Sequence, residues 1–108
     1  MTDEITSRII RLKNGDDVIA KIVKSDRKRL TLHKPFLFKT QSVIDPMSGM
    51  KKDVTMLQSW TAFADSDEIT IQQESILAFL NPTGETEKLY IIEKKREEEL
   101  KKKRNVIN

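Results

Sequence analysis

The sequence predicts an all-β domain followed by a charged C-terminal helix, and three observations carry that prediction. Between Arg8 and Leu80, short apolar runs alternate with polar residues at period two. The runs are separated by turn-forming clusters: Asn14-Gly15, residues 25–28, 45–49, 64–67 and 81–84. From Glu85 onward glycine and proline disappear and strong helix formers take over. The division predicts one β domain over residues 1–84 and a charged helix and tail over 85–108.

Residues 1–7 are too short a stretch to separate a helical turn from an extended arm. Ile9, Ile10 and Leu12 then lead into Asn14-Gly15, the pair that most readily takes the positive φ angles of a tight hairpin. This sets a first strand at about 8–13 and a second at about 17–24. In the second strand Val18, Ala20 and Ile22 point one way, and Ile19 and Val23 the other. Apolar residues on both faces fit a strongly bent sheet that curls into a small barrel, or a strand covered by a neighbouring subunit. Leu30 and Leu32 belong to a third strand, expected to end near Pro35, which has no N–H for a central ladder. Alternation resumes over residues 37–44 and 54–63, which read as a long inserted hairpin across Asp45-Pro46-Met47-Ser48-Gly49, about 37–63 in all. Residues 68–73 and 75–80 are the last two strands. In the final one, Ile76, Ala78 and Leu80 are expected opposite Leu77 and Phe79, so both faces are apolar. Beyond the stop signal Asn81-Pro82-Thr83-Gly84, the residues Leu89, Ile92, Arg96 and Leu100 recur at helical spacing. Their stripe is thin. The start of the helix is expected to pack on the domain through Leu89 and Ile92, with residues 97–108 fraying into solvent.

The chain has 108 residues and no cysteine, which excludes disulfides and thiolate metal sites. Its start, MTDEITSR, lacks the basic-then-apolar order of a signal peptide, and no apolar run approaches the ~18 residues of a membrane helix. A soluble, cytoplasmic protein without membrane association is the expectation. A domain as small as residues 1–84 buries only about 60% of its unfolded surface, so self-association would add to its stability. Net charge is +3, but residues 21–39 alone hold seven basic residues against one acidic. That concentration reads either as a solubilising surface or as a polyanion-binding patch.

No catalytic constellation is visible, so the expectation is a non-enzyme with no cofactor, no metal and no small-molecule substrate. His33 is the single histidine and sits beside Lys34, in the manner of a surface residue. Asp16-Asp17 is explained by turn chemistry, and Asp65, Asp67 and Glu68 lack the spacing and glycine of a calcium loop. No phosphate-binding glycine loop or dinucleotide fingerprint occurs. Trp60, flanked by Ser59 and Thr61, reads as a core or interface anchor before a base-stacking ring.

Leu12, Gly15, Ile22, Asp26, Leu30 and Leu32 together resemble the first signature of the Sm-like family: a strand, a glycine turn, a long bent strand, an Asp-containing turn and a leucine-alternating strand. Ile71-Gln72-Gln73-Glu74-Ser75-Ile76 resembles the second. The chain departs from the family with Ala20 for a glycine, Arg29 for an asparagine, an Asp turn shorter by about one residue, and Gln72-Gln73 for Arg-Gly. The two matches cover roughly half of the chain, and the nearest likeness is to divergent members from phage genomes. The resemblance implies a small barrel of five strongly bent antiparallel strands assembled into a homo-oligomeric ring, pentamer to heptamer, with the fourth strand of one subunit pairing with the fifth of the next. Ile69, Ile71, Ile76, Leu77 and Phe79 would then lie at the oligomer interface. It also implies single-stranded RNA binding at two turns, here Asp26, Arg27, Lys28 and Arg29 in the first and Gln72 and Gln73 in the second. A second expectation, of a different class, is an oligomeric scaffold or phage accessory protein that binds other proteins without RNA.

Overall fold

A computed structural model of the protein describes residues 7–107, with side chains as far as Lys102. The expectation for the N-terminal arm therefore lies almost wholly outside the described residues, as does that for side chains of the extreme tail. Six strands and one helix follow in order: β1 (Ser7–Leu12), β2 (Asp17–Ser25), β3 (Arg29–Ile44), β4 (Lys51–Ser59), β5 (Glu68–Gln72), β6 (Ile76–Leu80) and α1 (Gly84–Ile107), with a 3-10 turn, Gln73–Ser75, between β5 and β6. All pairings are antiparallel. The sheet runs β4-β3-β2-β1-β6, and β5 also pairs with β3. The structure is thus mostly β with one C-terminal helix, but no ladder joins β5 to β6, and the sheet is not closed into a barrel.

The long β3 corrects the expectation that the third strand stops at Pro35. Residues 29–33 pair with β5 and residues 36–44 with β4, so Lys34 and Pro35 fall where β3 changes neighbour on that side. On the other side Ile19 faces Phe36 and Lys21 faces His33, which leaves Lys34 and Pro35 together opposite Ala20 as a bulge. A proline costs nothing at a bulge because no ladder donor is required there. Lys34 takes φ 50, the left-handed conformation that lets the chain turn the corner. Its N–H is satisfied by the Asp67 carbonyl at 2.7 Å, and the Pro35 carbonyl accepts from Trp60 N–H at 3.0 Å.

Bulges also reset the faces of two other strands. Between Ile22, opposite Leu32, and Lys24, opposite Thr31, Val23 is an extra residue. It is largely exposed rather than packed beside Ile19. In β6 the extra residue is Leu77, because Ala78 faces Arg11 while Ile76 faces Leu12. Phe79, opposite Ile10, therefore shares the core side with Ile76, whereas strict alternation had assigned it to the other face. Such insertions bend the strands and increase their twist.

Two clusters form the interior. Ile10, Leu12, Val18, Ala20, Leu30 and Leu32 fill one side of the sheet, joined by half-buried Ile22, Leu37, Trp60, Ile69, Ile71 and Ile76. On the opposite face Ile19 and Phe36 are covered by Tyr90 of α1, with Ile9, Phe38 and Leu57 around them. The two-sided burial of β2 is thus produced by the chain's own helix. That helix docks on a face one residue round from the expected one. Tyr90, Glu93, Glu97 and Lys101 point at the sheet, while Ile92 and Leu100 remain about half exposed. Tyr90 is 1% exposed, meets Phe36 edge-on at 5.8 Å and donates its hydroxyl to the Lys34 carbonyl at 2.8 Å. A fully aliphatic face would leave that bulge carbonyl unpaired. Docking continues past residue 97 through Glu97, Glu98 and Lys101, so the helix does not fray there as expected. Among the described residues no helix is long and apolar enough to cross a membrane.

Candidate nucleic-acid interface

The turn between β2 and β3 is built by Asp26. Its Oδ1 accepts the backbone N–H of Lys28 at 2.9 Å and of Arg29 at 2.8 Å, and its own N–H donates to the Arg29 carbonyl at 2.9 Å. The Arg29 and then the Lys28 N–H hold the carboxyl below its usual range, with the charges of Arg29 and Lys24 adding to them. Asp26 is a turn-builder. By tying down the backbone it fixes where the side chains of Arg27, Lys28 and Arg29 leave the turn.

The 3-10 turn after β5 is stapled to this one by Gln73. Its backbone N–H donates to the Lys28 carbonyl at 2.8 Å. Its side-chain amide donates to the Asp26 carbonyl at 2.9 Å and lies 3.2 Å from Ser25 Oγ and 3.3 Å from the Arg29 carbonyl. Gln72 stands opposite Arg29 in the β3–β5 ladder. The two turns, distant in sequence, thereby become one open cavity of about 480 Å³ lined by Arg27, Lys28, Arg29, Gln72, Gln73 and Glu74. Its walls carry three cations and one carboxylate. Among the described residues none of the three cations forms an ion pair, and all three are exposed to solvent. The structure so brings together every residue that the sequence nominated for RNA, but it commits the Gln73 amide N–H groups to the staple. Of the two glutamines, Gln72 is the one whose exposed amide makes no hydrogen bond among the described residues.

The residues nominated for an oligomer interface divide. Ile69, Ile71 and Ile76 are half-buried against the core, whereas Leu77 and Phe79 are 64% and 45% exposed. Among the described residues β5 is paired only with β3, and β6 only with β1, so each presents one open backbone edge. His33, half-buried, has Nδ1 4.0 Å from Glu68. No three His, Cys, Asp or Glu side chains converge among the described residues in a way that would hold a metal ion.

A second charged cluster escaped sequence reasoning. Lys34 Nζ lies 3.0 Å from Glu98 and 3.5 Å from Asp67, and Lys101 Nζ lies 2.6 Å from Asp67. Burial works against the Lys34 ammonium, but the Glu98 hydrogen bond and the charges of Asp67 and Glu98 outweigh it and raise its pKa. Asp67 is lowered, first by the Lys101 hydrogen bond, and Glu98 by Lys34. The one available signal was the stripe Tyr90, Glu93, Glu97, Lys101, which has the same helical spacing as the apolar stripe.

The chain matches no family model, and no curated protein matches its sequence.

Proposed function

We propose that this protein is an Sm-like RNA-binding protein that assembles into a homo-oligomeric ring, acts in the cytoplasm and performs no catalysis. The observation that carries the reading is the stapled cavity: three exposed cations, without ion pairs among the described residues, on a turn whose backbone is held by Asp26 and Gln73 beside the exposed amide of Gln72. Lysine and arginine on an exposed turn meet phosphate without sequence preference, while a neutral amide such as Gln72 meets base edges. The strand order and the bulges of β2 and β6 are in keeping with a strongly bent, barrel-like Sm sheet. Assembly is supported by the open edges of β5 and β6 and by the exposure of Leu77 and Phe79 beside one of them. In a ring, several copies of the cavity would converge on one face, multiplying the positive field.

The test is titration of labelled oligouridine, oligoadenosine and a mixed strand at two salt concentrations. Affinity should fall with salt by a log–log slope of about −0.7 per phosphate neutralised. Lys28→Ala with Arg29→Ala should lower both affinity and slope and leave subunit number unchanged. No binding to any strand at low salt would remove the RNA reading in favour of a protein-binding scaffold. Size exclusion with light scattering addresses assembly, and a clean 12.5 kDa monomer at micromolar concentration would sink the ring.

A further inference from the structure

On the far side of the 3-10 turn lies a second open cavity of about 480 Å³. Leu12 and Ile71 contribute its apolar surface, Trp60 an aromatic wall, and Lys13, Asn14 and Glu74 its polar rim. Its size falls within the ~300–1,000 Å³ of small-ligand clefts. Glu74 lines both this cavity and the basic one, so the two adjoin across a single turn of three residues. The arrangement is held from both sides. Lys13 N–H donates to the Ser75 carbonyl at 2.9 Å, and Trp60 N–H is fixed on the Pro35 carbonyl. Trp60 is only half-buried. Part of it packs against the core cluster, yet it also lines the cavity.

We propose that this cavity is a second nucleotide subsite, in which a base of the strand whose phosphates lie on Lys28 and Arg29 stacks on the Trp60 indole. The proposal rests on the reading of the basic turn as RNA-binding. The occupant follows from the chemistry of the walls. A planar ring suits an aromatic wall beside apolar surface, and stacking tolerates any base. Glu74 is common to both cavities, but three cations stand on the basic side against Lys13 alone on this one, so the backbone stays on the basic side of the turn and the base crosses. Base-edge donors are what a carboxylate accepts, as from an exocyclic amine. Asn14 is engaged within its own turn, its Oδ1 accepting from Asp16 N–H at 2.9 Å and its Nδ2 donating one of its two N–H groups to Asp16 at 3.2 Å. Larger stacking area and an exocyclic amine both favour adenine over uracil here.

Trp60 is the only tryptophan in the chain, so indole emission reports on the single ring that lines this cavity. The full-length protein is titrated with end-labelled oligoadenosine, oligouridine and an abasic strand of equal length, following label anisotropy and indole emission together. Oligoadenosine should quench the indole saturably and bind about 5- to 100-fold tighter than the abasic strand, the range that one stacked base supplies. Oligouridine should quench less. The double variant Lys28→Ala, Arg29→Ala should need more strand to reach the same final quench. Trp60→Ala removes a core contact as well as the platform, so Trp60→Phe, which keeps a ring, serves as the second variant and should retain most of the preference for adenine. Anisotropy showing tight binding while the indole stays unchanged, or equal affinity for the abasic strand, overturns the subsite and leaves the basic-turn reading standing. Absence of binding by every strand at low salt overturns both.

Discussion

Two clusters of charge sit only five residues apart along β3, and they are built in opposite ways. At Lys34 the side chain is 9% exposed and its ammonium is flanked by Asp67 and Glu98, with Lys101 on the far side of Asp67. At Arg29, with Lys28 and Arg27 beside it, the cations are exposed and carry no ion pair among the described residues, and the acid in the turn, Asp26, spends its oxygen on backbone N–H groups. A cation taken out of water needs a partner or it destabilises the fold. One left in water needs none, and its field remains available to a ligand. The difference ties the first cluster to holding the helix and leaves the second open to solvent, as the proposed RNA contact requires. It also means that mutations in the two regions should be read out by different measurements.

The largest effect is expected where the helix meets the sheet. Tyr90→Ala removes a 1% exposed ring from Ile19 and Phe36 and should cost about 3–5 kcal/mol in urea denaturation, as for other buried aromatics. Tyr90→Phe loses only the hydroxyl, which the Lys34 and His33 carbonyls share at 2.8 and 3.2 Å, and should cost about 1 kcal/mol. If Tyr90→Ala proves nearly silent, the helix is not what covers the second face of β2.

Next in size comes Asp67→Asn, which weakens the partner shared by Lys34 and Lys101 and should cost about 1–2 kcal/mol, discounted for the exposure of Asp67. The same cluster sets a pH dependence. Asp67 and Glu98 are lowered from ordinary values of 3.8 and 4.5, so their contribution is complete above those values and is lost as pH falls through the lowered ones. Lys34 is raised from 10.5, so its contribution is complete below that value and is lost only as pH rises past the raised one. Melting temperature should therefore hold steady near neutrality and fall in acid, and Asp67→Asn should flatten the acid limb. An acid limb of unchanged steepness in that variant would show that other carboxylates set it.

What the sequence made legible follows from range. Strand positions came from local alternation, whereas the meeting of the turns around Asp26 and Gln73 was implied only by the resemblance to the two Sm-like signatures. The helix was visible, but its docking face was not, because Tyr90, Glu97 and Lys101 meet partners 30 or more residues away and look solvent-facing by composition. Bulges were equally hidden. Leu77 and Val23 fit an alternating pattern by residue type, and only the ladder to a neighbouring strand reveals that each is one residue too many. Pro35 misled for a related reason: a ladder gap at that point depends on where β4 and β5 dock.

Within the exposed cluster, Gln73 and Gln72 provide a finer comparison. Gln73→Ala breaks the side-chain staple between the turns and should lower stability by about 1 kcal/mol and weaken strand binding by displacing the cations. Gln72→Ala should leave stability unchanged and shift only the preference among bases. Equal effects of the two on base preference would mean that Gln73 leaves its staple when a strand is bound.

The smallest expected effect is on stability at the cations themselves. Lys28→Ala with Arg29→Ala deletes two exposed side chains and keeps their N–H groups, which are the atoms that Asp26 binds, so the turn has no structural reason to change. The unfolding free energy should change by no more than about 0.5 kcal/mol, as for surface changes away from packed features. A slight gain is expected if anything, since removing like charges from a crowded turn relieves repulsion. A loss above about 1 kcal/mol would mean that the side chains support the fold, and any fall in RNA affinity in this variant would then report a damaged turn instead of lost phosphate contacts. Measured together with Tyr90→Ala, whose cost is predicted to be several-fold larger, the pair tests directly whether the two charged regions divide stability and binding between them.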